Sequence, residues 1–264
     1  MRNIVLRYVI CVICGFAIFT FGIMSRPLLR QGWHARLSLH VDGRANSSLS
    51  SQSVGSTGFP KHYHNRRTLF HSLSQVQSRA VDIVMLGDSI TEEGEWNELL
   101  PLLQVDDGAI VVNRGLSCDT TAGLLARLQD VFALKPRLAV VMIGINDFQF
   151  RVPPQEILAN IQAIVTQLEE AQIAVILHPP LFVGQTDLIP KNANNEISEL
   201  NQQLKEWYSI RGGIFIDLNE TLSNLHSKTL RTDVTEDGLH LNGLGYMLWA
   251  AELKKKLLEE DYFR

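Results

Sequence analysis

The chain has 264 residues, with 24 Lys and Arg against 28 Asp and Glu, a formal net charge of −4. That balance gives no reason to expect nucleic acid as a partner. Hydrophobic residues make up 45% and charged residues 20%, enough for a sizeable core and against global disorder. Only three cysteines are present, two of them in an apolar N-terminal run, which excludes a disulfide scaffold and a multi-cysteine zinc site.

The average charge hides an asymmetry. Residues 1–61 hold seven basic residues and one acid, Asp42, a balance of +6 that leaves −10 for the rest. From Tyr8 to Ser25 no residue is charged. Such a run makes a helix of about 27 Å, against a bilayer core of roughly 30 Å. Residues 1–30 are therefore expected to form an uncleaved membrane anchor, with a cleaved signal peptide as the competing reading. The basic residues on either side of the span nearly balance, and the short N-terminal tail favours an extracytoplasmic place for the rest of the chain. Residues 43–58 contain six Ser and three Gly. So polar a stretch cannot offset its ordering entropy by burial, and residues 31–61 read as a flexible linker. The folded domain is expected over 62–264.

Short apolar runs at 81–86, 109–113, 138–143, 173–177 and 214–218 read as buried strands. Helical faces lie between them. Leu124, Leu128 and Val131 form one. Ile157, Ile161, Ile164, Val165 and Leu168 form another, started by Pro153-Pro154. Ile197, Leu200, Leu204 and Trp207 form a third, and Leu244, Leu248 and Ala251 a fourth. Apolar strands alternating with amphipathic helices predict an α/β fold with a parallel sheet covered on both faces. Ligands bind such sheets at the carboxyl ends of the strands.

Those ends carry a pattern. Gly87-Asp88-Ser89 follows the first strand and Asn113-Arg114-Gly115 follows the second. Gly144-Ile145-Asn146-Asp147 follows the third, and Asp237-Gly238-Leu239-His240 lies near the C-terminus. A serine hydroxyl needs an imidazole to take its proton and a carboxylate to orient that imidazole. Ser89, His240 and Asp237 supply that set. A tetrahedral intermediate also needs donors for its oxyanion, for which Ser89 N–H, Gly115 N–H and the Asn146 amide are available. Taken alone, Ser89 reads better as a helix N-cap; its three partners shift the reading to catalysis. Asp88 and Asp147 read as residues that fix their loops, and Cys118 as small buried packing. His62 and His64 have no third ligand nearby, so no metal is expected. No phosphate-binding loop is present, and no cofactor is implied.

These four segments, in this order, resemble the motif blocks of the SGNH/GDSL hydrolase superfamily over residues from about 64 to 258. The resemblance implies a flavodoxin-like three-layer α/β/α sandwich with a five-stranded parallel sheet, here preceded by an N-terminal transmembrane helix. It implies Ser89 as nucleophile, His240 as base, Asp237 as its orienting acid, and Ser89, Gly115 and Asn146 as the oxyanion hole. The stretches LGDSIT, GEW, NRGLS, DTT and IGINDF are similar to bacterial platelet-activating-factor acetylhydrolase-like and sialate O-acetylesterase-like proteins.

That similarity implies a small-molecule or glycan ester as substrate, and a short acyl group, acetyl, removed from a carbohydrate or other polar carrier. A lysophospholipase or acyl-thioesterase acting on longer chains competes with it, as does a non-catalytic surface binding module. Glu93, Trp96, Phe148 and His178 are expected to line the substrate pocket. The membrane is the further expected partner, through the N-terminal helix.

Overall fold

In a computed structural model of the protein, the described residues are 61–77, 79–102, 108–190 and 192–260. The predicted membrane span and all of the linker but Lys61, which opens a helix, lie outside them. Among the described residues no helix is long and apolar enough to cross a membrane.

Five parallel strands form the sheet: β1 (Ile83–Gly87), β2 (Val111–Gly115), β3 (Leu138–Met142), β4 (Ala174–His178) and β5 (Ile214–Phe215). Their order is β2-β1-β3-β4-β5, the doubly wound arrangement with its reversal beside β1. Every residue of β1 and β3 is buried, so both faces of the sheet are covered. That is why these strands show continuous apolar runs with no alternation. The edge strand β5 keeps only two of its five predicted residues, and both are half-buried.

Register fixes where the site can form. Gly87 lies level with Gly115 on one side and Met142 on the other, and Met142 lies level with His178. The chain thus leaves β1, β2 and β3 along one edge. In sheets of this order ligands bind at the reversal of strand order, here the carboxyl ends of β1 and β3.

The helices are α1 (Lys61–Val76), α2 (Ser89–Glu92), α3 (Trp96–Leu102), α4 (Thr121–Leu125), α5 (Leu128–Phe132) and α6 (Ile145–Gln149). Beyond them lie α7 (Pro154–Glu170), α8 (Ala193–Ile210), α9 (Asn219–Leu222) and α10 (Gly243–Glu259). A small antiparallel ribbon, β6 (Ser223–Asn224) with β7 (Thr229–Leu230), follows α9. Helix α7 buries the five residues its sequence face names. The face of Leu124, Leu128 and Val131 is buried too, but on two short helices. The break falls at Arg127, whose backbone is not helical and whose guanidinium turns inward. The last helix departs from expectation: α10 buries Tyr246, Trp249, Ala250, Leu253 and Leu257, while Leu244 and Ala251 are exposed. Trp249 fixes that rotation, because its ring packs edge-on against Trp96 and His178.

Candidate active site

Strand β1 ends at Gly87, and Asp88 caps the short helix that follows. Its carboxylate accepts from Ile90 N–H at 3.0 Å. Ser89 is the first helical residue, where a backbone N–H has no intrahelical acceptor. Its Oγ lies 3.0 Å from His240 Nε2. On the far side of the ring, His240 Nδ1 lies 2.7 Å from Asp237 Oδ2. The other oxygen of Asp237 accepts from the backbone N–H of Leu239 at 2.9 Å and of His240 at 2.8 Å. Partial burial pushes the Asp237 carboxyl up, but the bonds from the His240 ring and from these two N–H groups outweigh it. The group therefore sits below the usual carboxylate range. The three-residue spacing of Asp237 and His240 is thus one tight turn in which a carboxylate holds both the backbone and the ring of the same histidine.

Asn146 reaches the same edge from β3. The chain turns at Gly144 with φ 128°, a conformation that favours glycine. The buried Asn146 then donates from Nδ2 to Asp119 O at 2.9 Å. An amide nitrogen carries two hydrogens, so this bond orients the group and leaves a second donor. Next to it, Asp147 accepts from Thr121 N–H at 2.9 Å and Thr121 Oγ1 at 2.6 Å. Burial pushes the Asp147 carboxyl up to about 6. The loops after β2 and β3 are bound to each other through these contacts.

Gly115 differs from its expected part as an oxyanion donor. Its N–H donates to Asn113 Oδ1 at 2.8 Å, so it already has an acceptor within its own strand end. The absence of a side chain serves packing instead. A Cβ at Gly115 would collide with the backbone of Thr91 and Glu92. Asn113 fastens the same contact from its amide nitrogen, which donates to Glu92 O at 2.9 Å and Gly94 O at 3.0 Å.

The expected substrate-lining residues separate. Trp96 is buried, donates from Nε1 to Thr91 O at 2.8 Å and packs against Trp249; it is core. His178 is buried as well. Its Nδ1 lies 2.9 Å from Ile216 O, and its Nε2 accepts from Trp249 Nε1 at 3.2 Å. Burial lowers its pKa to about 4, so it is a neutral core histidine with both nitrogens engaged. Phe148 is buried and borders a shallow hollow with Arg151, Pro190, Asn192 and Glu196, to which none of Ser89, Asp237 and His240 contributes. Glu93 alone of the four is exposed beside His240. Cys118, expected as buried packing, is half-buried, at φ 65°.

A supporting network has no counterpart in the sequence pattern. Asp119 is fully buried between Arg127 Nε at 2.8 Å and Tyr63 Oη at 3.0 Å. Arg127 also donates to Gly87 O at 3.2 Å, tying the loop after β2 to the end of β1. Glu92 joins α1 to the same loop, accepting from the N–H and hydroxyl of Ser117 while meeting His62 and Arg66. The spacing Asp119-x₇-Arg127 carries no motif by itself. A buried ion pair between the loop after β2 and the break at Arg127 becomes visible only in three dimensions.

A catalogued family described as the GDSL-like Lipase/Acylhydrolase family matches residues 85–248, a span holding all four segments. The chain belongs to that family and is an enzyme of its ester-hydrolysing kind. Among characterised relatives, an arylesterase of Vibrio mimicus is 30% identical over 150 residues, which span 50% of this chain and 75% of that protein. An acetylxylan esterase of Geobacillus stearothermophilus is 25% identical over 209 residues, 66% of this chain and 93% of that one. The crystal structure of a GDSL-like lipase from Bacteroides thetaiotaomicron superimposes with a TM-score of 0.64 at 25% identity. It covers 75% of this chain and 98% of that one.

Proposed function

We propose that this enzyme is a serine ester hydrolase that removes a short acyl group, acetyl, from a carbohydrate or other polar carrier. The observation that carries the reading is the unbroken line Ser89 Oγ, His240 Nε2, His240 Nδ1, Asp237 Oδ2, with contacts of 3.0 and 2.7 Å. Ser89 Oγ attacks the ester carbonyl carbon as its proton passes to His240 Nε2. Negative charge gathers on the carbonyl oxygen, where Ser89 N–H and the second N–H of Asn146 Nδ2 stabilise it. The C–O bond to the carrier then breaks, and the carrier oxygen takes the proton from His240. Water, deprotonated by His240, releases the acyl group and restores Ser89. Asp237 fixes the ring and balances its charge while the imidazole is protonated.

The preference for acetyl is supported by the acetylxylan esterase relative. The test is a series of p-nitrophenyl esters from acetyl to palmitoyl, with the full chain and its Ser89→Ala variant. The expected kcat/KM peaks at acetyl and falls by roughly 10⁴-fold or more in the variant. A peak at long chains contradicts the short-acyl reading and favours a lysophospholipase or thioesterase. Full activity in folded Ser89→Ala contradicts the nucleophile itself.

A further inference from the structure

Two consecutive glutamates follow the serine turn, and their surroundings are opposite. Glu92 is enclosed. Its Oε1 meets His62 Nε2 at 2.8 Å and Arg66 Nε at 3.1 Å, and its Oε2 accepts from Ser117. Glu93 is exposed, and no hydrogen bond or ion pair with a described residue engages its carboxylate.

Position makes this free carboxylate consequential. The Glu93 backbone N–H donates to Ser89 O at 3.0 Å, one helical turn on, with φ −76° and ψ −8°. Residues four apart on a helical turn share a face, with Cβ atoms about 5–6 Å apart. Glu93 therefore stands on the side of the turn that presents Ser89. Partial burial of its side chain pushes the Glu93 carboxyl up; among the surrounding charges His240 opposes that shift most, and Asp237 adds to it. Glu93 acts in turn on Tyr246, whose hydroxyl donates to Ile90 O at 2.8 Å on the same turn. Asp237 is engaged by the His240 ring and by two backbone N–H groups. Among the described residues the Glu93 carboxylate has no such partner, so an arriving substrate meets it unengaged.

We infer that Glu93 sets the charge of the carrier this site accepts: it favours neutral, hydroxyl-bearing or positively charged carriers and disfavours anionic ones. This rests on Ser89 being the nucleophile. A hydroxyl or cationic group on the carrier finds an unused acceptor. A carboxylate or phosphate on the carrier meets a like charge. Two unit charges roughly 8 Å apart, at an effective dielectric of about 20–40, change a rate by roughly five- to thirty-fold. Sugar esters that bear a carboxylate thus fall on the disfavoured side.

The test uses three acetyl esters of one shape: phenyl acetate, 3-acetoxybenzoate and 3-acetoxy-N,N,N-trimethylanilinium. Their kcat/KM values are measured at neutral pH and low salt for the full chain, Glu93→Gln and Glu93→Lys. Differences in leaving-group reactivity cancel when each variant's cation-to-anion ratio is divided by that of the wild type. The expected ratio falls by roughly five-fold or more in Glu93→Gln and further in Glu93→Lys. Added salt lowers the wild-type ratio and leaves that of Glu93→Gln nearly flat. An unchanged ratio in both variants overturns the inference, even where Ser89→Ala is inactive. Retained hydrolysis in Ser89→Ala overturns instead the reading of the site on which it rests.

Discussion

Asp88 shows how strongly one residue beside Ser89 is perturbed by its setting. Burial pushes its carboxyl up to about 7. Asp119 and Asp147 add to the shift, while the Ile90 N–H and His240 oppose it. In the unfolded chain an aspartate titrates near 3.9. The folded pKa is thus the higher one, and folding takes up a proton between about pH 4 and pH 7. The stability Asp88 contributes is fully present below about pH 4 and is lost as pH rises through 7. Asp88→Asn can keep the acceptor for Ile90 N–H while removing the titration. Its melting temperature relative to wild type is expected to climb between pH 4 and 7 by on the order of a few degrees, read by calorimetry. Parallel curves would show that Asp88 stays ionised in the fold. At this scale the candidate residues Ser89, Asn146, Asp237 and His240 are legible, because each follows a strand or a turn signal. Trp96 and His178 were not legible as core, since what buries them is Trp249, distant in sequence from both.

Among elements, the contact between the end of β2 and helix α2 governs where Ser89 stands. It is glycine-tight: Gly115 abuts the backbone of Thr91 and Glu92, and Asn113 bridges to the carbonyls beyond. Gly115→Ala must push α2 outward, because backbone atoms cannot rotate aside as a flexible side chain can. Overpacking of this kind costs roughly 1–3 kcal/mol. The variant is expected to unfold at lower urea and to lose kcat more than tenfold, since displacement of Ser89 by about 1 Å is enough for such losses. Wild-type kcat in Gly115→Ala would mean that α2 is not held by this contact. Strand positions and α7 were readable from sequence because apolar runs and a clean face mark them. Helix α1 was not. It buries Tyr63, Phe70 and Ser74 but exposes Leu69, Leu73 and Val76, so hydrophobicity does not follow its buried side. The α10 face was misleading for a related reason: Leu244 is exposed, and the buried side is led by Tyr246 and Trp249.

For the whole molecule, strand order accounts for the convergence of segments about 150 residues apart. Two crossovers bring the ends of β1, β2 and β3 side by side, and the turn before α10 delivers His240 opposite Ser89. A parallel sheet was predictable from its apolar strands. The cross-links Asp119–Arg127 and Asp147–Thr121, which hold the loops in register, were not, because polar pairing leaves no period in a sequence. The proposed role of Ser89 as nucleophile depends on this convergence, and the most direct measurement of that role is covalent capture. The full chain is treated with a fluorophosphonate and the adduct located by peptide mass mapping. One adduct is expected, on Ser89, forming at a rate that falls by roughly 10³-fold or more in His240→Ala. An adduct on any other residue, or equal labelling of the folded Ser89→Ala protein, would contradict it.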